Sequence, residues 1–258
     1  LDYYIFYGKD RTDASKSTEK QLNEKYDEKA DSIPVLPDQI KVEEIKEFVK
    51  SLDKLPVGIY KDSLNLAIYN FKSNLVNLIS AKNIEVATEY VTHLYEELKL
   101  LEDIDVTVFD AEGIVQTASK NIKLDYQNYS LRIQNNISKS KYNVCIIVGI
   151  DKFLINIEKE ILSDLRKAEE LKNYTFIVVD SVFKLKNHEY DDWYKAYITK
   201  DSGIWVGNGV ADQYLIRMNT SARNLVNNCG ESFGYLIKQE EAKLIKLIGM
   251  KDAGEKNG

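Results

Sequence analysis

Apolar and polar positions in this chain alternate between short runs and longer helical spacings. Residues 75–79 form a short apolar run that ends in a polar turn. From 84 to 101 the apolar residues Ile84, Ala87, Val91, Leu94, Tyr95 and Leu98 fall mostly three or four apart. That spacing puts them on one face of an amphipathic helix. Residues 106–109 are a second run, ending at Asp110, and a helix is predicted over about 128–139. Residues 144–148 are apolar without interruption, the mark of a central parallel strand covered on both faces. A helix is predicted over 155–172 and another buried strand over 175–179. Short strands alternating with longer helices predict an α/β fold with a mostly parallel, doubly wound sheet.

The flanks are patterned differently. Residues 8–31 are polar and charged, with only Leu22 and Tyr26 as apolar anchors, which reads as an exposed helix, a linker or partial disorder. Residues 33–37 read as an extended connector. Asp38 can cap a helix carrying Val42, Ile45, Phe48, Val49 and Leu52, which Pro56 and Gly58 then break. Residues 64–71 read as an edge strand. After 179 the expected strands are 203–206, 213–217, and 233–238 paired with 242–248. All are taken as antiparallel additions at one sheet edge. The expected organisation is an extension over 1–37, one domain over 38–250 and a mobile tail over 251–258. The start has neither Met nor a basic stretch, so it is no signal peptide and reads as a piece of a longer protein.

Composition narrows the function classes. The chain has 258 residues, 44% hydrophobic and 29% charged, as in a soluble globular protein. A net charge of −6 argues against a nucleic-acid groove. No apolar run reaches the ~18 residues of a membrane span. Cys145 lies in an apolar run and Cys229 in a polar turn, so a disulfide framework is not expected and a reducing compartment fits. His93 and His188 are far apart, with no cysteine or glutamate pattern beside them. No metal site and no nucleophilic catalytic arrangement is expected.

The candidate chemistry lies where strands end. A strand–turn–helix over 75–88 is the setting of a phosphate-gripping loop. Such a loop needs glycines, so that backbone N–H groups can approach the oxygens, and a Lys-Ser/Thr pair at the helix start. This turn has no glycine, and Glu85 brings a negative charge to the helix N-terminus. Asp110 and Asp151 follow strands at the edge where ligands of open α/β sheets bind, but an Asp in that position also caps turns. Gly207-Asn208-Gly209 reads as a turn. Tyr190, Trp193, Tyr194, Tyr197 and Trp205 crowd one window. They read as sheet-covering core or as partner anchors. Leu154, Ile157 and Ile161 flank the helix after Asp151 and, with Trp193, Tyr194 and Trp205, are the candidate partner-binding residues.

Several of these features together resemble a known family. Residues 56–62, the strand–turn–helix, Phe109-Asp110, the buried strand before Asp151 and the hairpin holding Gly234-Tyr235-Leu236-Ile237 are similar to an FtsK/SpoIIIE-type ATPase domain, a RecA-like P-loop NTPase fold. Residues 173–179, 190–194, 203–209 and 246–250 resemble, more narrowly, the last cytoplasmic domain of the EssC family, the membrane-anchored coupling ATPases of type VIIb secretion. The resemblance spans about 33–250. It implies that the Walker A loop falls on Ser80 to Thr88, with its second glycine near Glu85, its lysine near Val86 and its hydroxyl residue near Ala87 or Thr88. Lys82 stands before the helix. Asp151 takes the magnesium-side aspartate position, and Lys152 stands where an active enzyme holds glutamate. Water positioning and charge stabilisation of phosphoryl transfer would both be missing.

These departures imply no catalytic residue, no nucleotide site and no cofactor. The implied role is a substrate-recognition domain that binds small helical secreted proteins of the WXG type through their C-terminal signal. It would sit beside sister ATPase domains, in the cytoplasm, on a protein anchored in the membrane elsewhere. Two alternatives stand beside it. One is an active motor in which Lys82 and Thr88 hold ATP phosphate and Asp151 magnesium. The other is a pure assembly module.

Overall fold

The structure is a computed structural model. It describes residues 36–115, 141–155 and 160–251, all in the second of the chain's two compact units, Leu36–Gly258. The helix expected over 128–139 and most of the N-terminal extension and tail lie outside the described residues.

One nine-stranded sheet organises this unit, in the order β2-β1-β9-β8-β7-β3-β6-β5-β4. The strands are β1 Leu55–Tyr60, β2 Leu66–Tyr69, β3 Val76–Ala81, β4 Ile104–Asp110, β5 Tyr142–Val148, β6 Tyr174–Ser181, β7 Gly203–Val206, β8 Phe233–Lys238 and β9 Glu241–Leu247. The run from β7 through β3, β6 and β5 to β4 is parallel. The other four junctions are antiparallel. β3 and β6 are buried along their whole length and β5 at all but its first residue, as strands covered on both faces require.

The helices are α1 Val42–Ile45, α2 Ile84–Leu98, α3 Ile150–Leu154, α4 Ile161–Leu171, α5 Val182–Asn187 and α6 Asp192–Tyr197. They cover both faces. Ala87, Val91 and Leu94 of α2 pack with Ile79, Val144, Ile146 and Ile177 on one face. Phe153 of α3, Leu165 of α4, Leu185 of α5 and Trp193 of α6 pack with Leu78, Cys145, Phe176 and Trp205 on the other. The chain leaves β3 through α2 toward β4. It leaves β6 through α5 and α6 toward β7, on the opposite face. Between the carboxyl ends of β3 and β6, therefore, connections depart in opposite directions, and such a point opens a crevice.

Several expected elements are revised. Residues 56–60 belong to β1, not to a break. A bulge between Pro56 and Gly58 absorbs the proline. A Cβ on Gly58 would stand 2.4 Å from the Lys246 carbonyl oxygen, so only glycine lets β9 approach. Lys41, not Asp38, is the N-cap of α1, which is only one turn long and continues as a 3-10 turn over Lys46–Phe48. Of the helix expected over 155–172 the described part is α4, Ile161–Leu171, and a separate short helix, α3, precedes it from Ile150, where Gly149, at φ +76°, redirects the chain. β7 is parallel to β3, not an antiparallel addition. Residues 213–217 form no strand: the Gln213 side chain bonds the Ile216 backbone N–H and carbonyl, closing a turn. The β8–β9 hairpin turns on Gln239-Glu240, both at positive φ, as the tightest hairpins require.

Candidate functional site

The link from β3 to α2 consists of Lys82 and Asn83 alone. A phosphate cradle needs several consecutive backbone N–H groups curled around one anion, and this link is too short to supply them. Its neighbours are also committed. The Ser80 hydroxyl is buried and donates to the Asp180 carbonyl at 3.1 Å. Thr88, buried one turn into α2, donates to the Ile84 carbonyl at 2.8 Å. Glu85 sits in the first turn of α2, where its charge complements the helix dipole. Val86 Cγ1 lies 3.3 Å from where a Cβ on Gly207 would stand, and Lys82 Cδ lies 3.4 Å from the same point on Gly209.

The turn 207–209 therefore lies over the β3–α2 link, and Trp205 anchors it. The indole N–H donates to the carbonyls of Gly207 and Asn208 at 3.1 and 3.2 Å. Asn208 Oδ1 accepts from the Gly230 N–H at 2.8 Å, and the Gly209 N–H donates to the Asn227 carbonyl at 2.8 Å. Gly207 and Gly209 stand at φ +74° and +91°, conformations that a side chain strains.

The ends of β4, β5 and β6 carry most of the charge. Asp110 closes the turn after β4, its carboxylate accepting from the N–H groups of Glu112, Gly113 and Val115. That turn aims Glu112 at two lysines, Lys152 of α3 and Lys184 of α5, the latter at 2.6 Å. Burial pushes the Glu112 carboxyl up, but the two lysine hydrogen bonds outweigh it and hold the group below its usual range. The same bond raises Lys184. Asp180 is fully buried at the end of β6, and burial raises its carboxyl although the Ser181 N–H and Lys184 act in the other direction. Asp151 faces His188, whose Nε2 lies 3.2 Å from Asp151 Oδ1 and whose Nδ1 lies 2.7 Å from Asp191 Oδ2.

The structure thus brings Asp151 and Lys152 to the same edge as Ser80 and Lys82. Both residues expected at Walker B positions have protein partners. Glu112, Asp180 and Lys184 were not singled out from the sequence, and His188 was weighed there only as a metal ligand. The only signal for Asp180 is that it follows a buried strand, as Asp110 does. Of the candidate partner-binding residues, Leu154, Ile161, Trp193, Tyr194 and Trp205 are all buried in the core, and Ile157 lies outside the described residues. Packing against the sheet consumes their apolar surface. The exposed apolar side chains nearby are Ile155, Phe183, Tyr190 and Tyr214. A separate cleft of about 340 Å³ lies between α1 and α2, lined by Gln39, Lys41, Glu43, His93, Glu96 and Gly249 among others, and holds none of the expected site residues. Among the described residues, no group of His, Cys, Asp and Glu could hold a metal ion and no helix is long and apolar enough to cross a membrane.

No protein-family model and no curated protein matches the chain. Solved structures do. The cytoplasmic domain of EssC matches with a TM-score of 0.65 at 16% identity, covering 95% of this chain and 55% of that one. EssC ATPases 2 and 3 from Geobacillus thermodenitrificans match with a TM-score of 0.69 at 14% identity, covering 94% and 51%. EccC ATPases 2 and 3 from Thermomonospora curvata, in complex with a signal sequence peptide, match with a TM-score of 0.58 at 14% identity, covering 93% and 49%. The chain spans about half the length of these structures. At such identities the likeness is one of fold: this mixed α/β sheet is similar to the ATPase domains of type VII secretion proteins.

Proposed function

We propose that this chain is a nucleotide-free recognition domain of a type VII secretion coupling ATPase, corresponding to the last FtsK/SpoIIIE-type domain of EssC. Residues 38–250 would form the domain, a doubly wound, RecA-like fold. It would bind small helical secreted proteins of the WXG type through their C-terminal signal. Sister ATPase domains would supply the energy, and the full-length protein would anchor the cytoplasmic domains in the membrane. The observation that carries this reading is the two-residue β3–α2 link lying under the turn 207–209. A triphosphate held there would lack both the backbone donors and the lysine that phosphoryl transfer requires. The EccC structure with a signal peptide supports a binding role for a domain of this shape.

The docking surface would lie over α3–α6, where an amphipathic helix could set apolar anchors against Ile155, Phe183 and Tyr190. Leu154, Ile161, Trp193, Tyr194 and Trp205 would form the wall behind them. Two measurements test the reading. Titration with labelled ATP and magnesium is expected to show no binding below about 100 μM, an affinity of about 5.5 kcal/mol; tighter binding would favour a motor. Secreted helical proteins should be retained by the immobilised chain and lost once their last helix is deleted. Retention of none would leave an assembly role as the better account.

A further inference from the structure

We propose that Lys152 and Lys184 form an oxyanion site at the carboxyl edge of the sheet, and that its resident ligand is the chain's own Glu112 carboxylate. The inference goes beyond the recognition role and stands or falls without it.

Four features make this a built site. Asp110 holds the turn that presents Glu112, through three backbone N–H groups at 2.7–3.1 Å. Gly149 makes room for the side chain, since a Cβ there would stand 2.7 Å from Glu112 Cγ. The Glu112 side chain is only 11% exposed, so little of the carboxylate is left to water. Its two oxygens go to two different cations, Oε1 to Lys184 and Oε2 to Lys152. Each cation comes from a helix that follows a different strand. One carboxylate thereby ties together the ends of β4, β5 and β6.

That is the work a bound anion does at the mouth of an open α/β sheet: it draws cationic groups from several strand ends onto one charge. Here the anion is covalently part of the chain, so its effective concentration is high and it needs no solution ligand. The chemistry that could take its place is an oxyanion of similar size. Asp180 and Asp151 also act electrostatically on Lys184. They disfavour a dianion, so a carboxylate monoanion should fit better than phosphate.

The test is chemical rescue of Glu112→Ala in the full 258-residue chain. Its unfolding midpoint should fall by about 5 °C, because the partly buried Lys184, with the half-exposed Lys152, loses its counter-ion. Sodium acetate should restore a large part of that loss and sodium phosphate less. Sodium chloride at the same ionic strength should restore little. Adding Lys184→Met should abolish the acetate effect. A folded Glu112→Ala protein that gains no more from acetate or phosphate than from chloride would overturn the proposal. If Glu112→Ala does not fold, Glu112→Gln, Lys184→Met and their double variant decide. The lock predicts that the double variant is about as stable as the worse single one, whereas additive losses would refute it.

Discussion

The β3–α2 link and the ends of β5 and β6 lie at the same edge of one sheet, yet they are closed by different physics. The link is closed by backbone and packing. It is two residues long, the neighbouring Ser80 and Thr88 hydroxyls are tied to carbonyls, and a glycine turn anchored by a buried indole lies over it. The neighbouring strand ends remain rich in ionisable groups, but these satisfy one another: Glu112 with two lysines, His188 with two aspartates. Closure by packing does not depend on solution conditions, whereas closure by ions should respond to salt and to substituted anions.

The strongest way to break this contrast is Trp205→Ala. The indole is 1% exposed and holds both carbonyls of the turn. Its removal should cost about 3–5 kcal/mol in urea unfolding, with a cavity left beside the β3–α2 link. The loss should be the same in 50 mM and 500 mM salt, on the order of the concentrations that separate weak from strong screening. A loss under about 1 kcal/mol would mean that the turn is held by something else. Next in size is Glu112→Gln, expected to cost about 1–3 kcal/mol. Most of that belongs to Lys184, because Lys152 is half exposed and water screens its share. This loss should shrink at high salt, and a salt-independent loss would erase the distinction between the two regions.

Gly209→Ala probes the packed side more gently. At φ +91° a side chain is strained, while the new Cβ would meet Lys82 only at an ordinary contact distance of 3.4 Å. A cost of about 1–2 kcal/mol is expected by thermal or urea unfolding, and none of it should respond to salt. A neutral substitution would show that the turn can move aside, and with it the cover over the link.

The two regions were unequally legible in the sequence. The buried strands were visible as apolar runs because coverage on both faces leaves no polar position to interrupt them. The helix Ile84–Leu98 was visible because its buried face repeats at helical spacing. The glycine-free turn between β3 and α2 was also visible, since the absence of glycine is a local fact. β1 was not, because Pro56 and Gly58 signal a break when read alone; only the neighbouring β9 explains why glycine is needed there. The ionic edge was not legible at all. Glu112 and Lys184 are 72 positions apart, and nothing in their local sequence links them. Packed closure is written into neighbouring residues, whereas ionic closure is written into topology.

A third glutamate sharpens the contrast from outside the edge. Glu97 of α2 is 1% exposed, and its Oε1 has no hydrogen-bond partner among the described residues. Burial without a cation pushes its carboxyl well above the usual range, the opposite of Glu112. A raised folded-state value means that the folded protein keeps its proton longer than the unfolded chain. The resulting stability is fully present below the unfolded value of about 4.3 and is lost as pH rises toward the folded value. The slope is at most about 1.4 kcal/mol per pH unit for one proton. Asp164, raised to about 6 by burial and then by Glu160, adds its own loss between its unfolded value of about 3.9 and that pH. Urea unfolding from pH 4 to pH 8 should therefore show falling stability. Glu97→Gln should make that fall shallower, leaving the Asp164 part in place. An unchanged profile in Glu97→Gln would mean that the carboxyl finds a partner or water when it ionises.

The smallest expected effect concerns the residue with the largest inherited expectation. Asp151 is the residue that the family resemblance set at the magnesium-side position, and its carboxylate faces His188 with 39% of the side chain exposed. A half-wet pair of this kind contributes about 0–1 kcal/mol. Asp151→Asn should therefore change unfolding by less than about 0.5 kcal/mol, and magnesium should not shift the melting midpoint of either protein beyond what calcium-free salt of equal ionic strength does. The comparison with Glu112 is what gives this null expectation its force. If charge at this edge serves structure, the more buried, doubly bonded Glu112 must matter more than Asp151. If the edge still served a metal and its phosphates, the order would reverse: Asp151→Asn would abolish a magnesium-dependent stabilisation, and Glu112→Gln, by freeing two lysines, would strengthen nucleotide binding.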